Sequence, residues 1–188
     1  MKKLTMLLSF FACAFSMYVN AQPAQVIVIR HGEKMPDGNL SERGFERAGA
    51  LAPYFALTST FLNYGVPVAI FAARPTPSTP PYHPDENTLR CVDTIAPTAL
   101  FLRLPIHSGY AKLQEQALAD FILSDAFYEG KNVLICWHHD TIQTLVQALG
   151  VPTAPPFPNV FDQTWVITYL PTPFLAIYQQ RLLFGDTP

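Results

Sequence analysis

Runs of apolar residues along the chain predict a buried sheet. Residues 24–29 are apolar apart from Gln25 and rich in β-branched side chains, which is typical of a central strand covered on both faces. The same pattern predicts further strands at residues 66–72, 133–137, 161–169 and 174–181. A short edge strand is predicted at residues 102–106.

Between these runs, apolar residues recur at three- and four-residue spacing and predict four helices. The first follows Ser41, whose hydroxyl can cap it, and the second begins near residue 87. The third covers residues 111–127, and the last begins at a capping-box sequence with Asp140 as the cap. Residues 74–86 contain five prolines and are predicted to form a loop. Strands that alternate with helices predict an α/β fold, a three-layer sandwich with a largely parallel central sheet.

The N-terminal segment has the features of a signal peptide. Two lysines precede the apolar stretch 4–17, and Val19 and Ala21 supply small residues at the positions that a signal peptidase reads. We therefore expect residues 1–21 to be removed and residues 22–188 to form one domain. The expected destination is the periplasm or the extracellular medium, with no attachment to the membrane after cleavage.

Charge and motifs exclude several classes of function. The net charge is −2 and no basic block is present, so the electrostatic footprint of a nucleic-acid-binding protein is missing. The glycine-rich loops that bind nucleotides are absent, and so is the Gly-x-Ser-x-Gly turn of serine hydrolases. Cys91 and Cys136 lack the spacing of a zinc or thiol redox site, and the sequence leaves open whether they form a disulfide.

Basic side chains follow two of the predicted strands at the point where each strand ends. Arg30 and His31 follow the first strand, and His138 and His139 follow the strand at residues 133–137. Ligands of open α/β sheets bind outside the carboxyl ends of the strands, where helix N-termini also favour anions. A histidine nucleophile flanked by guanidinium groups suits phosphoryl transfer.

Three segments, in the same order, resemble the signature of the histidine phosphatase superfamily, whose fold is called phosphoglycerate mutase-like. They read IRHGEK with LSERGFERAGAL, then RCVDTIAPTA, then VLICWHHDTI, and the resemblance runs from about residue 26 to residue 149. The resemblance implies that His31 becomes phosphorylated and that Arg30 and Arg90 bind the phosphoryl group. It further implies that a second histidine completes the pocket and that no metal or cofactor takes part.

Two site residues have alternatives. Arg74 directly follows the second predicted strand and is the alternative to Arg90. His139 is preferred to His138 because His139 and the next residue resemble the His-Asp motif of the acid-phosphatase branch. Adjacent residues of a strand point to opposite faces, so only one of the two histidines is expected to face the phosphate.

The proton donor for a departing alkoxide is the least defined group. The His-Asp resemblance implies Asp140, and Glu86 in the proline-rich loop is a weaker candidate. Glu33 is expected to stay away from the substrate and to orient Arg30 or the second histidine. The leading hypothesis is an exported, metal-independent phosphatase for a small phosphomonoester. The alternative is a catalytically degenerate module that binds phosphate or a phosphorylated glycan without turnover.

Overall fold

The computed structural model describes residues 22–81 and 83–186, so the predicted signal peptide lies outside the described residues. The core is a six-stranded sheet in the order β3-β2-β4-β1-β5-β6. The strands are β1 (Gln25–Arg30), β2 (Ala69–Ala72), β3 (Ile106–His107), β4 (Asn132–Trp137), β5 (Gln163–Thr168) and β6 (Phe174–Gln179). The helices are α1 (Glu42–Leu57), α2 (Arg90–Leu102), α3 (Glu115–Ser124) and α4 (Ile142–Ala148). In the described part of the chain, no helix is long and apolar enough to cross a membrane.

Strand β1 lies inside the sheet, and every one of its residues is buried. It pairs in parallel with β4, where Val28 lies opposite Ile135, and antiparallel with β5, where Val28 lies opposite Trp165. The four strands from β3 to β1 are parallel, and β5 and β6 add an antiparallel edge. The prediction of an α/β fold with a largely parallel sheet is confirmed.

The helices pack in two pairs, α1 with α2 and α3 with α4, and with the sheet they form three layers. Helix α1 begins where the sequence predicts, because the Ser41 hydroxyl accepts a hydrogen bond from the Gly44 N–H over 3.2 Å. Its buried residues recur at the predicted helical spacing and include Ala48, Leu51 and Phe55. Because β1 and β4 are parallel neighbours, with Arg30 opposite Trp137, their carboxyl ends meet at one edge of the sheet.

Some predicted boundaries are wrong. Strand β2 is shorter than residues 66–72, and the predicted edge strand at residues 102–106 begins inside α2. Helix α2 ends at Arg103, which adopts the left-handed conformation with φ 56°, and only then does the chain enter β3. The predicted helix 111–127 is reduced to α3 and a short 3-10 helix, Ala126–Tyr128, because Leu113 has φ 71°, which interrupts a helix.

The predicted capping box of α4 is also wrong. Its N-cap is Thr141, which makes no side-chain capping hydrogen bond. The Asp140 carboxylate binds the ammonium group of Lys112 instead. The Asp140 side chain, which the local sequence predicts to cap the helix, therefore forms an ion pair with a lysine of another loop instead.

The two cysteines of the described chain are free and buried. Cys91 lies in α2 and Cys136 in β4. Burial raises the pKa of Cys136 well above its ordinary value, which keeps this thiol protonated. Both residues act as small apolar side chains of the core.

Candidate active site

His31 follows the last residue of β1 and is 1% exposed. Its Nδ1 lies 2.8 Å from the carbonyl oxygen of Gly32, and its Nε2 is buried with no hydrogen-bond partner among the described residues. A carbonyl oxygen can only accept, so Nδ1 carries the ring hydrogen and donates it. The lone pair of Nε2 is then unengaged, as a nucleophile requires.

The imidazole of His31 is held in its neutral form. Burial lowers the pKa of His31 well below its ordinary value, and the positive charges of Arg90 and Arg30 lower it further. The hydrogen bond to Gly32 opposes this change but does not outweigh it. The ring therefore keeps its lone pair at neutral pH.

Two glycines allow the turn after β1 to lie against helix α1. A Cβ on Gly32 would meet the Gly44 carbonyl oxygen at 3.0 Å, and one on Gly44 would overlap the Glu33 carbonyl oxygen. The Gly32 N–H also donates to the Thr94 hydroxyl of α2 over 2.8 Å. Gly44, which weakens a helix by propensity, is required here by close packing.

Arg30 is buried beside His31 and held from several sides. Its Nη1 donates to the Asn159 side chain over 3.2 Å and to the Val160 carbonyl over 3.0 Å. Its Cζ lies 3.8 Å from the ring centroid of Phe161, a cation–π contact. Its Nε has no hydrogen-bond partner in the described chain. Burial, the largest influence, lowers the pKa of Arg30 to about 10, so the side chain remains charged at neutral pH.

Arg90, rather than Arg74, lies against the histidines. Arg90 is 4% exposed, and its Nη2 lies 3.0 Å from Nδ1 of His138. Its Nη1 donates to the Asp85 carbonyl and to the Thr88 hydroxyl, while its Nε has no partner among the described residues. The Arg74 side chain is exposed, and its backbone forms a bridge with Ala111.

The histidine pair lies in the turn after β4, which ends at Trp137. Side chains alternate only along an extended strand, so the expectation that one histidine points away from the pocket is wrong. The ring centroids of His138 and His139 lie 6.1 Å and 6.2 Å from that of His31. His138 is buried, whereas His139 is half-buried.

The two histidines also differ in their contacts. The guanidinium of Arg90 can only donate, so Nδ1 of His138 accepts and the ring hydrogen of neutral His138 is on Nε2. Burial and then the charge of Arg90 lower the pKa of His138 to about 3. Burial and then the charge of Arg30 lower the pKa of His139 as well. Both rings are therefore neutral at neutral pH.

The two candidate proton donors meet at a lysine that the sequence motifs do not identify. Lys112 Nζ lies 2.5 Å from Glu86 Oε1 and 2.5 Å from Asp140 Oδ2. Burial raises the pKa of Asp140, but the hydrogen bond and charge of Lys112 outweigh burial and lower it overall. Asp140 is therefore ionised at neutral pH. Lys112 lies in a loop, and its sequence neighbourhood does not distinguish it from an ordinary surface lysine. Only the ion pairs seen in the folded structure do so.

Glu33 does not hydrogen-bond to Arg30 or to either histidine of the turn. Its carboxylate accepts from Arg47 Nη2 over 2.6 Å and from Arg43 Nε over 3.1 Å. Its negative charge raises the pKa of Arg30, so it supports that cation only at a distance. The expectation that Glu33 orients Arg30 or the second histidine is wrong, since the Glu33 carboxylate binds the arginines of α1 instead.

Within residues 22–81 and 83–186, no group of three or more histidine, cysteine, aspartate or glutamate side chains could hold a metal ion. The polar groups that meet at the sheet edge are instead two guanidinium groups and neutral imidazoles. Three of their buried nitrogen atoms lack a partner in the described chain, namely Arg30 Nε, His31 Nε2 and Arg90 Nε. Buried polar atoms are nearly always satisfied, so these atoms indicate a place for a polar ligand.

No protein-family model matches this chain, and no curated protein matches it. Solved structures do match. One is the protein histidine phosphatase SixA complexed with tungstate, with 18% identity, a TM-score of 0.52, and coverage of 83% of this chain and 97% of the other. Another is phosphoglycerate mutase from Plasmodium falciparum, with 12% identity, a TM-score of 0.51, and coverage of 87% and 96%.

These likenesses establish the fold. The chain has the fold of these two proteins, the phosphoglycerate mutase-like fold. The fold that the sequence motifs imply is therefore confirmed. At identities this low, the chemistry must be inferred from the chain's own residues.

Proposed function

We propose that this protein is a phosphatase that hydrolyses a phosphomonoester through a phosphohistidine formed on His31. The observation that carries the proposal is the buried Nε2 of His31, which has a free lone pair beside two buried arginines. A neutral imidazole fixed by a backbone carbonyl is prepared for attack without first losing a proton.

In the first step, Nε2 of His31 attacks phosphorus, the P–N bond forms, and the bond from phosphorus to the leaving oxygen breaks. The phosphoryl oxygens are held by the guanidinium groups of Arg30 and Arg90, which favour a planar, bidentate geometry. A hydrogen on Nε2 of the second histidine donates to one of these oxygens. In the second step, water attacks phosphorus and the P–N bond breaks. Both protons of the water leave with the product as dihydrogen phosphate, and the electron pair of the P–N bond returns to Nε2 of His31.

For the second histidine, the contacts favour His138. It is buried, and its bond from Arg90 leaves the Nε2 hydrogen available for a phosphoryl oxygen. His139, the choice from the sequence motif, has its ring at a comparable distance from His31 and is more exposed. The activities of single alanine variants of the two histidines decide between them.

The proposed site lacks a clear proton donor for the leaving group among the described residues. Asp140 and Glu86 both bind the ammonium group of Lys112, so neither carboxylate is free of a charged partner. This arrangement favours substrates whose leaving group departs readily without a proton from an acid, such as an aryl phosphate. SixA is described as a protein histidine phosphatase, so a phosphohistidine peptide belongs among the substrates to be tested.

We further propose that the protein acts after export, as residues 22–188, and that it needs no metal ion. The direct test is hydrolysis of p-nitrophenyl phosphate in the presence of EDTA from acidic to neutral pH. We expect release of p-nitrophenol by the wild type, loss of release in His31→Ala, and no loss in His107→Ala, which changes an exposed histidine of β3. Equal release by wild type and His31→Ala would refute the phosphohistidine mechanism, and release that requires added metal would refute metal independence.

The second candidate function is a binding module without turnover. The pairing of Asp140 and Glu86 with Lys112 favours it, because a site without a proton donor can still bind phosphate. Its signature is binding of inorganic phosphate or vanadate, measured by calorimetry, with no release from p-nitrophenyl phosphate or from a phosphohistidine peptide. Turnover that depends on His31 would exclude it.

A further inference from the structure

We propose that Lys112 is a positioning residue of this site: its ammonium group joins the Glu86 and Asp140 carboxylates and so holds the proline-rich loop against the turn that carries the histidine pair. The proposal rests on the proposed function for its effect on turnover. The claim that Lys112 holds the loop against the turn can be tested without measuring phosphatase activity.

The backbone on both sides of Lys112 is fixed. The preceding Ala111 forms a bridge with Arg74, and its N–H donates to the Gln114 side chain over 2.8 Å. The following Leu113 donates its N–H to Glu115 Oε1 over 3.1 Å, and the same oxygen accepts from Trp137 Nε1 over 2.9 Å. Lys112 is therefore tied to the end of β4, and at 7% exposure its ammonium group does not extend into solvent as most lysines do.

Glu86 brings the proline-rich loop to this ammonium group. It is 4% exposed and is the last residue of the short 3-10 helix Pro84–Glu86. The Glu86 carbonyl accepts from the Thr76 N–H over 3.2 Å, so the two ends of the loop are joined. A buried carboxylate that loses its cation must move or take up a proton, and both outcomes disturb this short helix.

The same short helix supports Arg90. The residue before Glu86 is Asp85, whose carbonyl accepts from Arg90 Nη1 and whose carboxylate pairs with Lys34. A displacement of Glu86 therefore displaces the oxygen that orients the phosphate-binding guanidinium. Lys112 thus acts on the pocket through the loop and not by touching the substrate.

Asp140 connects the lysine to the histidine turn. It directly follows His139 in the turn after β4. Lys112 is the group that hydrogen-bonds to it. The ammonium group of Lys112 thus binds one carboxylate from the loop, that of Glu86, and one from the turn, that of Asp140. The position of the loop therefore depends on the position of the turn.

The test uses Lys112→Met, which removes the charge at similar volume, and Lys112→Arg, which keeps it. Hydrogen exchange followed by mass spectrometry is measured on the mature chain, over residues 74–89 and 138–141. We expect exchange of both segments to increase at least about tenfold in Lys112→Met and to stay near the wild-type rate in Lys112→Arg. Glu86→Gln breaks the Lys112–Glu86 pair from the loop side and leaves the Asp140 pair in place, so it should reproduce the increase over residues 74–89 even where Lys112→Met folds poorly.

The kinetic arm uses p-nitrophenyl phosphate. We expect KM to rise about tenfold in Lys112→Met, with a smaller change in kcat, because the phosphate-binding geometry loosens while His31 is untouched. Lys112→Arg should restore most of the loss. The double variant Lys112→Met/Glu86→Gln should be little worse than Lys112→Met alone, since Lys112→Met already breaks the ion pair with Glu86.

Exchange rates in Lys112→Met and Glu86→Gln that match those of the wild type would overturn the proposal, as would an equal loss in Lys112→Arg and Lys112→Met. A wild type without phosphatase activity would overturn the proposed function and leave the exchange experiment to decide the role of Lys112. Active enzyme with unchanged loop exchange would overturn the role of Lys112 alone.

Discussion

The Nη2 of Arg90 donates a hydrogen bond to Nδ1 of His138 over 3.0 Å, which places the ring hydrogen of His138 on Nε2. His31 has the opposite arrangement, because its Nδ1 donates to the Gly32 carbonyl over 2.8 Å. One ring therefore presents a lone pair and the other presents a hydrogen. The proposed reaction uses both, the lone pair for attack on phosphorus and the hydrogen for a developing negative charge.

The first prediction concerns the two adjacent histidines. We expect His138→Ala to lower kcat/KM for p-nitrophenyl phosphate by roughly 10²-fold, the usual cost of removing one donor to a developing oxyanion. His139→Ala should cost less than about tenfold, because its ring is more exposed and no hydrogen bond joins it to Arg90. The opposite ranking would support the assignment of His139 made from the sequence motif.

The second prediction compares the two candidate arginines. Arg90→Lys should lower kcat/KM by roughly 10²-fold, since an ammonium group cannot at once donate to the Asp85 carbonyl, His138 and a phosphoryl oxygen in a planar geometry. Arg74→Lys is the matched control and should change kcat/KM by less than about twofold, because the Arg74 side chain is exposed. Equal losses in the two variants would mean that Arg74 also contacts the substrate. A urea unfolding curve for each variant separates loss of activity from loss of folding.

The third prediction is a dependence of stability on pH. Burial and neighbouring charge lower the pKa of His31 and take that of His138 to about 3, so the folded protein binds fewer protons than the unfolded chain below pH 6.5. The free energy of unfolding should therefore fall as the pH decreases from 7 to 5, by up to about 1.4 kcal/mol per pH unit for each such histidine. Urea unfolding at pH 7, 6 and 5 measures the slope. It should be shallower in the double variant His31→Ala/His138→Ala, and an unchanged slope would mean that other groups cause it.

The sequence predicts the parts of the site that depend on local pattern. The apolar runs of β1 and β4 are long enough to identify two central strands, and both strands do end in the histidines that meet at the sheet edge. The choice within the histidine pair depends on whether the strand continues past Trp137. The predicted strand and β4 both end at Trp137, so the two histidines lie in the turn, where the alternation of side chains along a strand no longer applies.

Other parts of the site depend on contacts between distant residues. Asp140 has the local sequence of a helix cap, yet its carboxylate binds Lys112, which lies in another loop. Glu33 lies two residues after His31, the proposed nucleophile, yet its partners are arginines of α1. In each case the folded chain brings several possible partners close to the carboxylate. The local sequence therefore cannot predict which of them it binds.

Behind the turn that carries His31, a buried arginine joins two carboxylates. Arg47 of α1 is 2% exposed, and its Nη2 lies 2.6 Å from Glu33 Oε1 and 2.7 Å from Asp186 Oδ1. Burial raises the pKa of Asp186, but the hydrogen bond from Arg47 and other contacts outweigh burial and lower it to about 2. The network connects the β1–α1 turn to the C-terminal segment.

The fourth prediction tests that network with two arginines that bind the same carboxylates. Arg47→Met should lower the free energy of unfolding by roughly 3–5 kcal/mol, because it leaves two largely buried carboxylates without their buried cation. Arg43 bonds to Glu33 and Asp186 over 3.1 Å in each case but is 41% exposed, so Arg43→Met should cost about 1 kcal/mol or less. Urea unfolding at neutral pH measures both values. If the two variants lose the same stability, solvent-exposed pairing rather than the buried cation holds the C-terminal segment, and the turn behind His31 does not depend on Arg47.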